Sequence, residues 1–108
     1  PSQASLEISP DPFSPDGDGM DDLAGINISL PTTHATINIK IFDIQGRLVK
    51  YLINNEFSGS QRTIFWDGKN DEGLNCRIGI YIVYLEAVDD KNEVILREKK
   101  TVVLATKL

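Results

Sequence analysis

Cysteine is nearly absent from this chain. Cys76 stands alone among 108 residues, which excludes an internal disulfide and any multi-thiolate metal site. It has no neighbouring His to make it a nucleophile, so an incidental thiol is expected, with the adjacent Arg77 lowering its pKa a little. Histidine is as scarce: His34 sits in a predicted turn beside Thr32 and Thr33, without a second His or a nearby nucleophile for zinc or triad chemistry. Apolar runs stop well short of the ~18 residues of a membrane helix, so no transmembrane segment is expected. Helical periodicity is missing throughout. Lysine and arginine are missing from the first 39 residues, where Glu7, Asp11, Asp16, Asp18, Asp21 and Asp22 leave a charge of -6, while the remainder carries +1. The net charge of -5 repels phosphate backbones and argues against a nucleic-acid partner.

The length fits one domain with a single core, residues 1–108. The chain opens at Pro1 without an initiator Met or a charged-then-apolar leader, and is expected to be a piece excised from a longer exported polypeptide.

What is present has a period of two. Ile26, Ile28 and Leu30 alternate with Asn27 and Ser29, and Ile37, Ile39 and Ile41 with Thr36, Asn38 and Lys40, the pattern of half-buried strands. Pro31 to His34 supplies turn residues between them, which predicts a hairpin. Further strands are expected at Ser5–Ser9, Leu48–Ile53, Thr63–Trp66, Ile80–Ala87 and Glu93–Leu104. Ile80–Ala87 is apolar on both faces and is expected mid-sheet. The middle of the last strand, Arg97 to Lys100, must face solvent. About seven short strands with frequent turn signals predict an all-β, antiparallel, immunoglobulin-like sandwich, its core resting on Trp66, Phe42, Phe65, Tyr81 and the aliphatics.

The most specific polar feature is SPDGDGMDD. A hard cation such as Ca²⁺ takes ~6 to 8 oxygen ligands, and alternating acids separated by Gly let a tight loop aim several oxygens inward. Asp16 and Asp18 have that spacing, Asp22 can close the loop, and the Met20 carbonyl is a candidate backbone ligand. Asp21 and Asp11 are weaker candidates. Pro10, Pro12 and Pro15 stiffen the loop. A complete EF-hand is excluded, because its distal Glu and flanking helices are missing. The competing reading makes these residues a solvated turn. A second cluster, Asp67, Asn70, Asp71 and Glu72, is expected to hydrogen-bond its own loop, with a binding rim or weak cation site as the alternative. Trp66 on its alternating strand is expected in the core rather than as a sugar platform. No nucleophile, base and orienting group converge, so a noncatalytic domain is expected.

The succession ISPDPFSPDGDGMDD, ISLP, INIKIFDIQGRLVKYL, FWDGKNDEG, GIYIVYLEA and KKTVVLA covers nearly the whole chain in order. It resembles the Ig-like domain of the flagellar hook-capping protein, most closely from WDGKNDEG to GIY. It is still more similar to C-terminal sandwich modules of secreted bacterial proteins, including the sorting domains of type IX secretion substrates and gliding-motility surface proteins. The SPDGDG loop, which hook-capping domains typically lack, favours the surface modules. The long DDKNEVILRE hairpin departs from many sorting domains. The resemblance implies a noncatalytic C-terminal domain of a secreted or outer-surface protein, serving in sorting, attachment or spacing. Its partners would be secretion or attachment machinery and upstream domains of the same chain. The alternative from another class is an accessory module, for instance for polysaccharide, on a secreted hydrolase; it calls for two or three exposed coplanar rings on one face.

Overall fold

The computed structural model describes residues 5–15, 22–32 and 34–105. Seven strands follow one another: β1 (Ser5–Ser9), β2 (Ala24–Ser29), β3 (Ala35–Asp43), β4 (Leu48–Ser58), β5 (Gln61–Trp66), β6 (Gly79–Val88) and β7 (Val94–Leu104). They form two antiparallel sheets, ordered β1-β2-β5 and β4-β3-β6-β7. The expected all-β sandwich is therefore present, with β6 inside its sheet, between β3 and β7.

The strict alternation of the sequence becomes two dry inner faces. Leu6, Ile26, Ile28, Ile64 and Trp66 come from the smaller sheet, and Ile37, Ile39, Ile41, Val83, Leu85 and Val102 from the larger. Register aligns these sets: Ile26 stands opposite Ile8 and Ile64, and Ile41 opposite Val83. Burying rows of β-branched side chains supplies most of the drive to close the sandwich.

The hairpin expected between Ile26–Leu30 and Ile37–Ile41 does not form. β2 pairs with β1 and β5, and β3 pairs with β4 and β6, so the intervening segment crosses from one sheet to the other. Alternation reports that a strand has one dry face, and either sheet satisfies it. Leu30, only 2% exposed, is buried at this crossing, where its N–H donates to Ser60 C=O at 2.8 Å. The fourth strand also runs past Ile53 to Ser58, with register shifts in its pairing to β3 and Asn55 at a positive φ of 52°.

The aromatic core is partly different from the one expected. Trp66 and Tyr81 are buried, but Phe65 is 57% exposed and Phe42 is half-buried on the outer side of β3. Side-chain parity is the cause, because Trp66 and Ile41 point inward and their chain neighbours must then point out. Their place is taken by Phe13, fully buried, which comes from the proline-rich segment after β1. The Trp66 ring lies 5.4 Å from both Phe13 and Tyr81, tilted by 53° and 68°. Tyr81 Oη donates to Arg77 C=O at 2.7 Å, the tyrosine-corner contact of immunoglobulin-like sandwiches.

Trp66→Ala is expected to destabilise the domain by about 3–5 kcal/mol, through lost transfer energy and an unfilled cavity. Phe65→Ala, one residue away on the wet side, is expected to shift stability by about 0.5 kcal/mol or less. Urea unfolding of the two variants checks the contrast.

Candidate functional site

One end of the sandwich collects segments that carry the sequence motifs: residues 11–15 after β1, the β3–β4 turn, the Trp66–Gly79 loop and the end of β7. Residues 11–13 are rooted on the last strand. Val103 N–H donates to Asp11 Oδ1 at 2.9 Å, Phe13 N–H donates to Val103 C=O at 3.0 Å, and Ala105 N–H donates to Phe13 C=O at 2.9 Å. Phe13 thereby lies parallel to Leu104 and covers the otherwise open edge of β7 there. Pro15 then passes over Gly68. A Cβ built on Gly68 would stand 2.9 Å from Pro15 Cγ and 3.1 Å from Leu104 Cδ1, and its φ is +80°. The Trp-Asp-Gly motif thus has three separate tasks. Trp66 fills the core and donates from Nε1 to Lys69 C=O at 2.9 Å, Asp67 Oδ1 accepts from Lys69 N–H at 3.0 Å, and Gly68 lets the loop root and the last strand approach.

Of the expected cation ligands, Asp16, Asp18, Met20 and the weaker candidate Asp21 lie outside the described residues, while Asp22 is half-buried just before β2. The Asp11 carboxylate has another task, accepting the Val103 N–H. Among the described residues no three His, Cys, Asp or Glu side chains converge as a metal site.

The second polar cluster builds its own loop. Asn70 Oδ1 accepts from Glu72 N–H at 2.9 Å and Leu74 N–H at 3.0 Å. Asp71 accepts Tyr51 N–H through both carboxylate oxygens, at 3.1 and 3.2 Å, stands 3.8 Å from Lys50 Nζ, and its own N–H donates to Val49 C=O. This ties the loop to the edge of β4 and closes that edge at its start. Between this loop and the β3–β4 turn lies an open cleft of about 630 Å³, with Arg47, Glu72, Asn75 and Arg77 on its rim and Cys76 and Tyr81 in its wall. Hydrogen bonds from Arg47 N–H, and further ones from the Arg47 side chain and Gln45 N–H, hold the Asp43 carboxyl below its ordinary pKa. Burial pushes the Cys76 thiol up, which reverses the lowering expected from Arg77 and leaves the group less nucleophilic. Burial likewise raises Tyr81.

The aromatic rings are divided. Trp66 and Tyr81 are in the core, whereas Tyr51 and Tyr84 are half-buried on the outer face of the larger sheet. No helix among the described residues is long and apolar enough to cross a membrane.

Comparison with solved structures finds this sandwich as a small part of two much larger chains and across nearly the whole of a third. Dimeric latent PorU from Porphyromonas gingivalis matches over 99% of this chain and 10% of its own, with 19% identity and a TM-score of 0.69. PorZ, an essential surface component of the type-IX secretion system of the same bacterium, matches over 94% of this chain and 11% of its own, with 17% identity and a TM-score of 0.52. CopC from Methylosinus trichosporium OB3b matches over 98% and 97%, with 14% identity and a TM-score of 0.53. At these identities the likeness is one of fold. No family model and no curated relative matches the sequence.

Gly68→Ala tests the crowded junction. Gly46, at φ +84° with nothing within 4 Å of an added Cβ, isolates the left-handed backbone cost of roughly 1–2 kcal/mol. Gly68→Ala adds the collision with Pro15 and Leu104 to that cost, so its urea midpoint is expected to fall further than that of Gly46→Ala.

Proposed function

We propose that this domain is a noncatalytic sandwich module of an exported bacterial protein, carried C-terminally to its passenger, handled by type IX secretion machinery and displayed in secreted form or on the outer cell surface. The observation that carries this reading is the fold-level likeness, over nearly the whole chain, to segments of PorU and of the type IX component PorZ. The ordered motif succession agrees with it. The similarity to the hook-capping domain is read as a shared sandwich, not a flagellar role. The module's contribution is a self-contained unit whose last strand, β7, is paired along β6 and gripped at its end by Asp11 and Phe13. Lys99 and Lys100 on β7 are exposed and discourage unwanted strand pairing along its edge.

The same reading includes a calcium ion held by Asp16, Asp18, Asp22 and the Met20 carbonyl. Four acids within seven residues, in a stretch without bases, favour a bound cation on electrostatic grounds. The anchoring of residues 11–13 on β7 fixes one end of this loop, so less ordering remains to be done when an ion binds.

Export is tested with a passenger fused to residues 1–108, expressed in a host with type IX secretion, beside the same fusion carrying Trp66→Ala. The intact fusion is expected outside the cell and the unfolded one retained. An intact fusion that stays in the periplasm while a native substrate leaves overturns the sorting role.

Calcium is tested by calorimetry. Binding to the folded state alone is expected to raise Tm with the logarithm of free ion, chelation to reverse this, and Asp16→Asn with Asp18→Asn to abolish it. An unchanged Tm together with no heat of binding counts against the ion.

A further inference from the structure

The outer face of the larger sheet is organised in rows that cross all four strands. In one row Tyr51 of β4 stands opposite Lys40 of β3, Lys40 opposite Tyr84 of β6, and Tyr84 opposite Lys99 of β7. Aromatic ring and cation therefore alternate along a line of three inter-strand steps, roughly 14 Å. The row is held in place: Lys40 Nζ lies 5.1 Å from the Tyr51 ring centroid, Tyr51 Oη donates to Asn38 Oδ1 at 2.8 Å, and the Tyr84 ring packs edge-on against Phe42 at 6.5 Å. On one side a parallel row places Leu48, Phe42, Ile82 and Thr101 in register, and on the other Asn38, Glu86 and Arg97.

The charge of this face is opposite to that of the protein. Lys40, Lys99 and Arg97 outnumber Glu86, whose carboxylate Arg97 meets at 3.1 Å, whereas the whole chain carries -5 and its first 39 residues -6. Those 39 residues contribute β1, β2 and most of β3, and their acids lie on β1 and in the loop that follows it.

We propose that the Tyr51–Lys40–Tyr84–Lys99 row is a binding surface for an acidic polysaccharide, lying across the strands with sugar faces on the tyrosine rings and carboxylate or other anionic groups on the lysines. The alternation selects this ligand class. A sugar acid offers a C–H face and a negative charge in the same repeat, which suits a ring beside a cation. An acidic peptide would satisfy the lysines and leave the rings unused. A nucleic-acid duplex would bring about eight phosphates along this length to three bases. A second copy of the same face is disfavoured, since like charges would meet across the contact. The proposal stands apart from the export reading and from calcium, and its test is performed without either.

The 108-residue chain is titrated calorimetrically, in EDTA so that no ion can bridge an acid ligand to the acidic loop, with hexagalacturonate, neutral cellohexaose and hexaglutamate. Hexagalacturonate is expected to bind, and to bind less well as salt is raised. Lys40→Gln with Lys99→Gln, checked for an unchanged Tm, is expected to weaken it about tenfold through loss of two charged contacts. Tyr84→Leu, which keeps an apolar group against Phe42, is expected to weaken it without altering the salt dependence. Absence of binding, or binding indifferent to the lysine pair, overturns the proposal. Equal affinity for hexaglutamate overturns it in favour of an acidic protein partner, and equal affinity for cellohexaose overturns the role of charge.

Discussion

The Trp66 ring, clasped between Phe13 and Tyr81, is the contact on which the end of this sandwich depends. It joins three parts of the chain that are far apart in sequence: the proline-rich segment after β1, the end of β5 and the start of β6. Around it the backbone has few alternatives. Tyr81 is fixed by its bond to Arg77, the indole N–H by Lys69, and Gly68 by the near contact of Pro15 and Leu104. Each of these polar groups would be costly to bury without its partner. Because Phe13 also pairs with the last strand, the same cluster that closes the core decides how the chain's final strand is held.

This arrangement separates the molecule into surfaces with different chemistry. At the loop end, side-chain oxygens serve mainly as caps: the carboxylates of Asp43, Asp67 and Asp71 and the amide oxygen of Asn70 accept backbone N–H groups and give their loops a fixed shape. The Cys76 thiol in the cleft wall is half-buried, and burial raises its pKa, which favours the less nucleophilic protonated form. Across the sheet, by contrast, lysines and tyrosines stand in rows on the outer face. A protein of acidic net charge therefore presents one cationic, aromatic face, set there by strand register.

The sequence alone determined the seven strands, the antiparallel sandwich, the central place of β6 and the burial of Trp66 and Tyr81, because period-two alternation and turn residues act locally. It also indicated that the Asp67–Glu72 cluster would hydrogen-bond its own loop, and Asp67 and Asn70 do so, whereas the Asp71 carboxylate reaches out to Tyr51 N–H on β4. Parity could have placed Phe42 and Phe65 outside as soon as Ile41 and Trp66 were placed inside. Tertiary structure alone decided which strands pair, since an alternating strand fits either sheet, and so the segment after Leu30 is a crossing and not a hairpin. It alone made Phe13 a core residue, because a phenylalanine among prolines and acids has no periodic neighbours to reveal its direction. It alone made Asp11 the acceptor for the Val103 N–H, 92 residues away. The Tyr51–Lys40–Tyr84–Lys99 row belongs to the same class: four residues unremarkable in sequence become one surface through pairing register, a long-range property that local chemistry does not encode.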